Sequence, residues 1–336
     1  MTLSPHQKRR AASLAGALSA AMVVAGCGGG GDSGAPAPAG PTDADRTTAA
    51  TATAQSATNA CAPIHPFYWE VGDVNARLAS GSVNSTSDPT IYTSATVMSI
   101  ASASKWLYST YFVQRQAGVL SASDVKYFTF QSGYTSFLVC TQTQTVQQCV
   151  DSLNNGAYTA ADDGKFSYGG GHMEKHASLN GLGALTNGPL ATEIRSQLGS
   201  DVALAYSQPQ LAGGGVTSAD DYARVLRKIL SGSLKMRDLL GTHAVCTNPS
   251  TCPTAVNTPV PPTESWHYSI GHWVEDDPVV GDGAFSSAGA FGFYPWIDAG
   301  KTSYGIVARS SGTGSGFDSA SCGRQIRKAW ATAVPQ

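Results

Sequence analysis

The composition of the chain changes abruptly near residue 60, and this change limits what can fold more than any other feature. Residues 28–59 consist almost wholly of Gly, Ala, Pro, Thr, Ser and Asp. Such a segment buries too little apolar surface to offset the loss of chain entropy, so we expect residues 27–60 to form a flexible linker. Residues 61–336 remain, and they are enough for one large core or two closely packed lobes.

The segment before this linker is typical of a targeting sequence. A basic start, His6 to Arg10, precedes an apolar run from Ala11 to Val24 that is too short for a permanent membrane span. Residues 1–26 are therefore interpreted as a signal peptide. The run ends in Val24-Ala25-Gly26-Cys27, which is typical of a bacterial lipobox with Cys27 as the acylated residue. An ordinary secretory signal followed by a chance cysteine is the alternative.

These features indicate an exported protein of the cell envelope that faces the periplasm or the cell surface. The lipid should be its only membrane contact, because no later run reaches 18 consecutive apolar residues. Only 13% of the residues are charged, the net charge is −2, and there is no basic patch. Nucleic acid is therefore excluded as an expected partner.

The body of the chain contains six cysteines, and an even number in an exported protein indicates disulfides. Six cysteines allow 15 connectivities, but their spacing favours one of them. Cys140 with Cys149 and Cys246 with Cys252 each enclose a short polar stretch, which leaves Cys61 and Cys322 to join the two ends of the body. A zinc site is the alternative, although no C-x-x-C pair occurs.

Hydrophobic periodicity places helices in the middle of the body and strands near its end. The expected helices and strands are an extended segment at 88–100, helices at 102–117, 121–128, from 217 onward and at 326–333, and strands at 266–274, 284–297 and 303–309. No βαβ unit repeats along the chain. The order predicts an α+β fold built on an antiparallel sheet.

The strongest chemical signal is Ser102 followed three residues later by Lys105 at the start of a predicted helix. This spacing puts both side chains on one face, where the amine can ease loss of the serine proton or accept it. The N–H group of Ser102 could also stabilise an oxyanion. The pattern alone is weak, because it recurs at Ser123 and Lys126 in a stretch typical of a solvated capped turn. A plain helix start is the alternative for Ser102.

Four segments in order strengthen the signal. They are the stretch from Ser99 to Asp124, Lys165 to Gly170 with Tyr168 at its centre, the glycine-rich entry to a helix at 210–222, and the pair 268–274 and 287–293. Together they resemble class C β-lactamases, penicillin-binding proteins and related esterases over about residues 90–330. The resemblance implies a β-lactamase/transpeptidase-like fold, in which helices flank the antiparallel sheet and form most of a second lobe.

Two positions depart from the pattern of that family. The second motif, Y-x-N, ends in Gly170, and the third motif, K-T-G or H-T-G, begins with Ser287. The first change removes an amide that usually holds the lysine, and the second removes a cation that usually binds a substrate carboxylate. Both changes argue against β-lactams and peptidoglycan peptides as substrates. Esterases and enzymes resembling 6-aminohexanoate-oligomer hydrolases tolerate them.

The resemblance implies a hydrolase without a cofactor that cleaves a small ester or amide through an acyl-enzyme on Ser102. Tyr168, supported by Lys105, is expected to be the base, although a tyrosine in this position could also serve packing alone. The N–H groups of Ser102 and Ala290 would hold the oxyanion, with Gly170, Ser287 and Gly289 completing the substrate site.

Two other functions remain open from the sequence. A catalytically inactive binding protein could keep the fold while its motifs drift, as the changes at Gly170 and Ser287 suggest. His172 and His176 lie four residues apart and could hold a metal. However, no third ligand is evident, so we interpret both as ordinary surface histidines and expect no metal.

Overall fold

The computed structural model describes residues 40–312 and 316–336. Within these residues the chain forms nine α-helices: α1 (Asp43–Ala54), α2 (Ser104–Arg115), α3 (Ala122–Phe128), α4 (Val146–Val150), α5 (Gly171–Ala177), α6 (Asn187–Leu198), α7 (Ala219–Leu230), α8 (Met236–Leu239) and α9 (Gly316–Thr332). A 3-10 turn, Ala101–Ala103, lies directly before α2. No described helix is both long and apolar enough to cross a membrane.

The described residues also form thirteen strands: β1 (Phe67–Asp73), β2 (Arg77–Val83), β3 (Met98–Ser99), β4 (Phe166–Ser167), β5 (Ala205–Tyr206), β6 (Gly215–Thr217), β7 (Val245–Cys246), β8 (Ala255–Asn257), β9 (His267–Tyr268), β10 (Trp273–Glu275), β11 (Ala284–Ser286), β12 (Tyr294–Ile297) and β13 (Ser303–Ala308). Eight of them build the main sheet in the order β2-β1-β13-β12-β11-β10-β9-β7. Every pairing in this sheet is antiparallel, which confirms the predicted sheet.

Helices cover both faces of the main sheet. Successive side chains of a strand point to opposite faces of the sheet, so two consecutive residues of β13 face the helices on opposite sides of it. Tyr304 accepts a hydrogen bond of 2.8 Å from Arg227 of α7. Gly305, the next residue, lies opposite Trp296 on β12, whose ring packs against Gly323 of α9. The sheet therefore lies between α7 on one face and α9 on the other.

The remaining helices form most of a second lobe beside the sheet. Helix α2 contacts α6, and α5 contacts both α3 and α4. Two short sheets join this lobe, one formed by β3, β6 and β5 and the other by β4 and β8. The predicted α+β architecture with a mostly helical second lobe is confirmed.

The N-terminal part of the described chain differs from the sequence prediction. We expected a flexible linker up to residue 60, but α1 occupies residues 43–54 and contacts α9. Thr42 caps this helix, Ala50 and Ala54 are fully buried, and Arg46 donates a hydrogen bond of 2.7 Å to the Trp330 carbonyl. Alanine favours helix formation. Its small side chain also allows α1 to pack closely against α9. The predicted signal peptide and Cys27 lie outside the described residues.

Several predicted boundaries also shift. The extended segment at 88–100 contains one strand of two residues, β3, and the strands expected at 266–274 and 284–297 are each divided in two by a turn. One of these turns contains Gly271, whose φ of +71° favours glycine. Hydrophobic runs predicted the strands, but they did not show the turns inside them.

All three predicted disulfides are present. Cys140 is bonded to Cys149, Cys246 to Cys252, and Cys61 to Cys322. The last of these joins the segment before β1 to α9 across 261 residues. Since β1 and β13 are neighbours in the sheet, the fold itself brings the two ends of the body together.

Candidate active site

Ser102 lies in the 3-10 turn directly before α2 and is partly exposed. The residue before it, Ala101, has a φ of +43°, a left-handed conformation that is uncommon for a residue with a side chain. The backbone on either side is held in place: the Ile100 N–H donates to Gly215 O, and the Ser102 carbonyl accepts from Ser287 Oγ at 3.1 Å. A rigid turn therefore presents the Ser102 hydroxyl to the cleft.

Lys105 lies in the first turn of α2, and its amine reaches back to the serine. Nζ is 2.9 Å from Ser102 Oγ and donates a hydrogen bond of 2.7 Å to the Ala212 carbonyl. The side chain is only 4% exposed. Burial lowers the pKa of Lys105 to about 7, although the Glu174 carboxylate acts in the opposite direction. A substantial fraction of Lys105 is therefore neutral at physiological pH and able to accept a proton.

Tyr168, the third of the expected catalytic residues, follows β4 and lies beside Ser102 and Lys105. Its ring stacks on Trp273 at a centroid distance of 5.2 Å, and Lys105 Nζ lies 4.9 Å from the centroid of the Tyr168 ring. Burial raises the pKa of Tyr168 to about 12, while hydrogen bonds with the side chains of Ser102 and Trp273 act in the opposite direction. The phenol therefore keeps its proton at neutral pH. Of the two, Lys105 is the better proton acceptor and Tyr168 the better proton donor.

Two cavities meet at Ser102, Tyr168 and Ala290. The first, of about 180 Å³, is mainly apolar, and its walls include Trp266, Trp273 and Val260. The second, of about 540 Å³, is more polar; its walls include Ser99, Phe137, Gly170, Ser207, Gln208 and Gln210. Lys105 is the only charged side chain among the described residues that line either cavity.

Known structures share this arrangement of helices and strands. A β-lactamase from Mycobacterium bovis aligns with a TM-score of 0.51 at 13% identity, over 80% of this chain and 96% of its own. A penicillin-binding protein from Bacillus halodurans gives 0.53 at 12% identity, over 75% and 93%. A D-stereospecific amidohydrolase from Streptomyces sp. gives 0.56 at 13% identity, over 86% and 98%. The chain has the β-lactamase fold. No protein-family model and no curated protein sequence matches it.

Residue 170 is a glycine where the usual Y-x-N motif of the β-lactamase fold has an asparagine. A side chain from another segment occupies the space beside this glycine. A Cβ atom at Gly170 would lie 2.8 Å from the ring of Phe137. Contacts under 3.0 Å are not tolerated by a Cβ atom, so the Phe137 ring occupies the space that a side chain at position 170 would need. The second cavity is therefore bounded here by an aromatic ring, where the motif would place an amide.

The structure assigns different roles to two residues that we expected to bind substrate. Ser287 is buried and lines neither cavity, and its hydroxyl supports the Ser102 carbonyl. The Gly289 N–H donates to Phe293 O at 2.8 Å, and a Cβ atom at this position would lie 2.1 Å from the Ile100 carbonyl oxygen. Both residues hold the backbone around Ser102. Ala290 is exposed and faces both cavities, as an oxyanion donor would require.

The neighbouring serines are separated from this site. Ser104 is fully buried, and its Oγ accepts a hydrogen bond of 3.0 Å from the Gly215 N–H. Ser123 is exposed near the start of α3, whose N-cap is Ser121. The second S-x-x-K pattern is therefore the capped turn that its polar surroundings indicated.

The two histidines of α5 are buried, so their interpretation as surface residues is wrong. His172 is hydrogen-bonded to Ser132 at 2.7 Å and to the Ser167 carbonyl at 2.9 Å. His176 is hydrogen-bonded to Tyr108 at 2.7 Å and to Asp124 at 3.0 Å. Burial lowers the pKa of His172 to about 4. Among the residues that the structure describes, no group of three or more His, Cys, Asp or Glu is arranged to hold a metal.

Three residues of the site could not be identified from the sequence: Glu174, Ala212 and Trp273. Glu174 lies between the two histidines of a pair that predicted no role for it. The Ala212 carbonyl belongs to a loop without side-chain chemistry, and the predicted strand that contains Trp273 did not show which face this residue occupies. No local pattern distinguishes them. Each is brought to Lys105 or Tyr168 by contacts between distant segments.

Proposed function

We propose that this protein is a serine hydrolase that cleaves an uncharged ester or amide through an acyl-enzyme on Ser102. The observation that carries the proposal is the distance of 2.9 Å between Lys105 Nζ and Ser102 Oγ. Because burial brings the pKa of Lys105 to about 7, this amine can be neutral at the moment when it must accept the serine proton.

The reaction then runs in two halves. Lys105 takes the proton from Ser102 Oγ, which attacks the substrate carbonyl carbon. The N–H groups of Ser102 and Ala290 hold the resulting oxyanion. As the bond to the leaving group breaks, Tyr168 donates its phenolic proton to the leaving oxygen or nitrogen and recovers a proton from Lys105. Water, activated by the same pair, attacks the acyl-enzyme, and the proton returns to Ser102.

The walls of the cleft suggest what the substrate carries. An apolar cavity of about 150 Å³ in another protein binds benzene. The first cavity here, of about 180 Å³, is therefore suited to one apolar group of about the size of a phenyl ring. No cation other than Lys105 lines either cavity in the described part of the chain. Because Lys105 must be neutral to act as the base, no positive charge would compensate a substrate carboxylate for its lost hydration. The name of the Streptomyces amidohydrolase agrees with amide cleavage on this fold.

Covalent labelling tests this proposal. A fluorophosphonate probe should label wild-type protein at Ser102, and Ser102→Ala should abolish both labelling and the hydrolysis of neutral phenylacetyl and short-chain esters. Ser123→Ala is the matched control and should be labelled normally, because that serine is exposed and outside the site. Hydrolysis that persists in Ser102→Ala would contradict the proposal. Absence of any labelling in the wild type would favour a catalytically inactive binding protein.

We also propose that the protein is held in the cell envelope through acylated Cys27. The lipobox and the three disulfides, which require an oxidising environment, support this location. Replacing Cys27 by Ser should abolish metabolic labelling with a fatty-acid probe and release the protein from the membrane fraction. Labelling that persists in the variant would show that the lipid is attached elsewhere or that there is no lipobox.

A further inference from the structure

Glu174 is a fully buried carboxylate next to the proposed catalytic lysine that no step of the reaction above uses. Its Oε1 atom accepts a hydrogen bond of 2.9 Å from the Ala212 N–H. The carbonyl of the same residue, Ala212, accepts the hydrogen bond from Lys105 Nζ. One residue of the loop thus connects the carboxylate to the amine, with its N–H on one side and its carbonyl on the other.

The second carboxylate oxygen, Oε2, is buried and has no hydrogen-bond partner among the described residues. An unpaired buried oxygen on an acid is costly, so its retention in the core calls for an explanation. Burial raises the pKa of Glu174 to about 7, opposed by the Ala212 and Leu211 N–H groups and by the charge of Lys105. Lys105 and Glu174 therefore change protonation over the same pH range.

The position of Glu174 on α5 connects it to the altered motif. It lies four residues after Gly170, one helical turn further along, so the two positions share a face. The Phe137 ring occupies the space beside Gly170, and the amide that would hold the lysine is lacking there. Instead, the Glu174 carboxylate, one turn further along the same helix, is connected to Lys105 through Ala212.

We propose that Glu174 is the positioning residue of this site, which orients the Ala212 carbonyl toward Lys105 and sets the protonation of the amine through its own charge. This inference rests on the proposed function. Other titratable groups near the pair are neutral at pH 7: burial lowers the pKa of His172 and raises the pKa of the tyrosines Tyr108, Tyr168 and Tyr206. Unlike these four groups, Glu174 changes its charge over the same pH range as Lys105.

Three variants separate position from charge. Glu174→Gln keeps an oxygen that can accept from Ala212 but removes the charge, so the pKa of Lys105 should fall by about one pH unit. A plot of acylation rate against pH should fall on its acidic side, where Lys105 is protonated, and level off at higher pH. In Glu174→Gln this acidic limb should move to lower pH by the same amount, while the plateau rate stays nearly unchanged. Glu174→Asp keeps the charge but shortens the side chain, so the limb should stay in place while the plateau rate falls about tenfold. Glu174→Ala should show both effects.

Two readouts are needed. The pKa of Lys105 is measured by NMR titration of ¹⁵N-lysine protein, with the signal assigned by its loss in Lys105→Met. The acylation rate is measured with a fluorophosphonate from pH 5 to pH 10. The matched control is Glu193→Gln on α6, whose carboxylate accepts from Tyr111 at 2.6 Å and which lines neither cavity; both readouts should match the wild type.

An unchanged pKa of Lys105 in Glu174→Gln, with only a lower melting temperature, would overturn the inference and leave Glu174 a structural residue. If instead the wild type is not acylated at all, the proposed function fails, yet the NMR titration still reports whether Glu174 controls the amine. The two failures are therefore distinguishable.

Discussion

The pH dependence of acylation tests the proposed division of roles between Lys105 and Tyr168. With a pKa of about 7, roughly half of the Lys105 amines are neutral at pH 7, and below this value the neutral fraction falls about tenfold for each pH unit. An ordinary lysine would be neutral in only about one molecule in 3,000 at pH 7. Burial therefore increases the concentration of the competent base by about three orders of magnitude, and this gain should appear as an acidic limb centred near pH 7.

The assay is the second-order rate of fluorophosphonate labelling of Ser102, measured across the pH range with an uncharged probe. Lys105→Arg is the control variant, since it keeps the positive charge but cannot lose its proton; its rate should fall by 10²-fold or more at every pH. A rate that keeps rising above pH 10 would refute the reasoning, because it would indicate the Tyr168 phenolate as the base, whose pKa is about 12. A flat profile between pH 5 and pH 9 would refute it equally.

Three further predictions follow from the site and the fold. Tyr168→Phe should lower kcat for an amide by about 10²-fold, and for an activated ester by much less because a good leaving group needs no proton; equal losses for both substrates would argue against its role as the acid. Gly170→Asn should lower the melting temperature, because its Cβ would meet the Phe137 ring at 2.8 Å, and a variant as stable as wild type would show that this ring can move. Removing the disulfide by Cys61→Ser with Cys322→Ser should cost up to about 5 kcal/mol of unfolding free energy in the chain-entropy model, measured by urea denaturation; no change would mean that the paired strands already hold the ends together.

Local sequence patterns were sufficient for most of the fold. The α7 helix lies in the segment predicted to be helical from residue 217 onward; Ser218 caps it, and the apolar residues whose periodicity predicted it are buried. The three disulfides were predicted because the spacing of four cysteines left only one partner for Cys61. The helix α1 could not be predicted in this way, because its composition is that of a linker. Its stability comes from packing against α9, almost 300 residues later in the chain.

The candidate site could also be predicted only where its residues are close in sequence. Ser102 and Lys105 are close in sequence, so helical geometry alone brought them together. The protonation of Lys105, in contrast, depends on how completely the fold excludes water from it, and no spacing rule contains that information. The family pattern favoured Tyr168 as the base, whereas burial gives the two groups pKa values that favour the opposite assignment.

This reversal has a physical origin that links the two motif changes. Burial disfavours the charged form of every group, so it lowers the pKa of an amine and raises that of a phenol. A cation or polar amide near Tyr168 would oppose its increase, but position 287 carries a serine that faces the backbone and position 170 carries a glycine covered by Phe137. With these groups absent, the proposed reaction uses the lysine as the base and the tyrosine as the acid. The same absences leave Lys105 as the only cation among the described residues that line the cleft. The proposed choice of base and the proposed preference for uncharged substrates therefore have one cause.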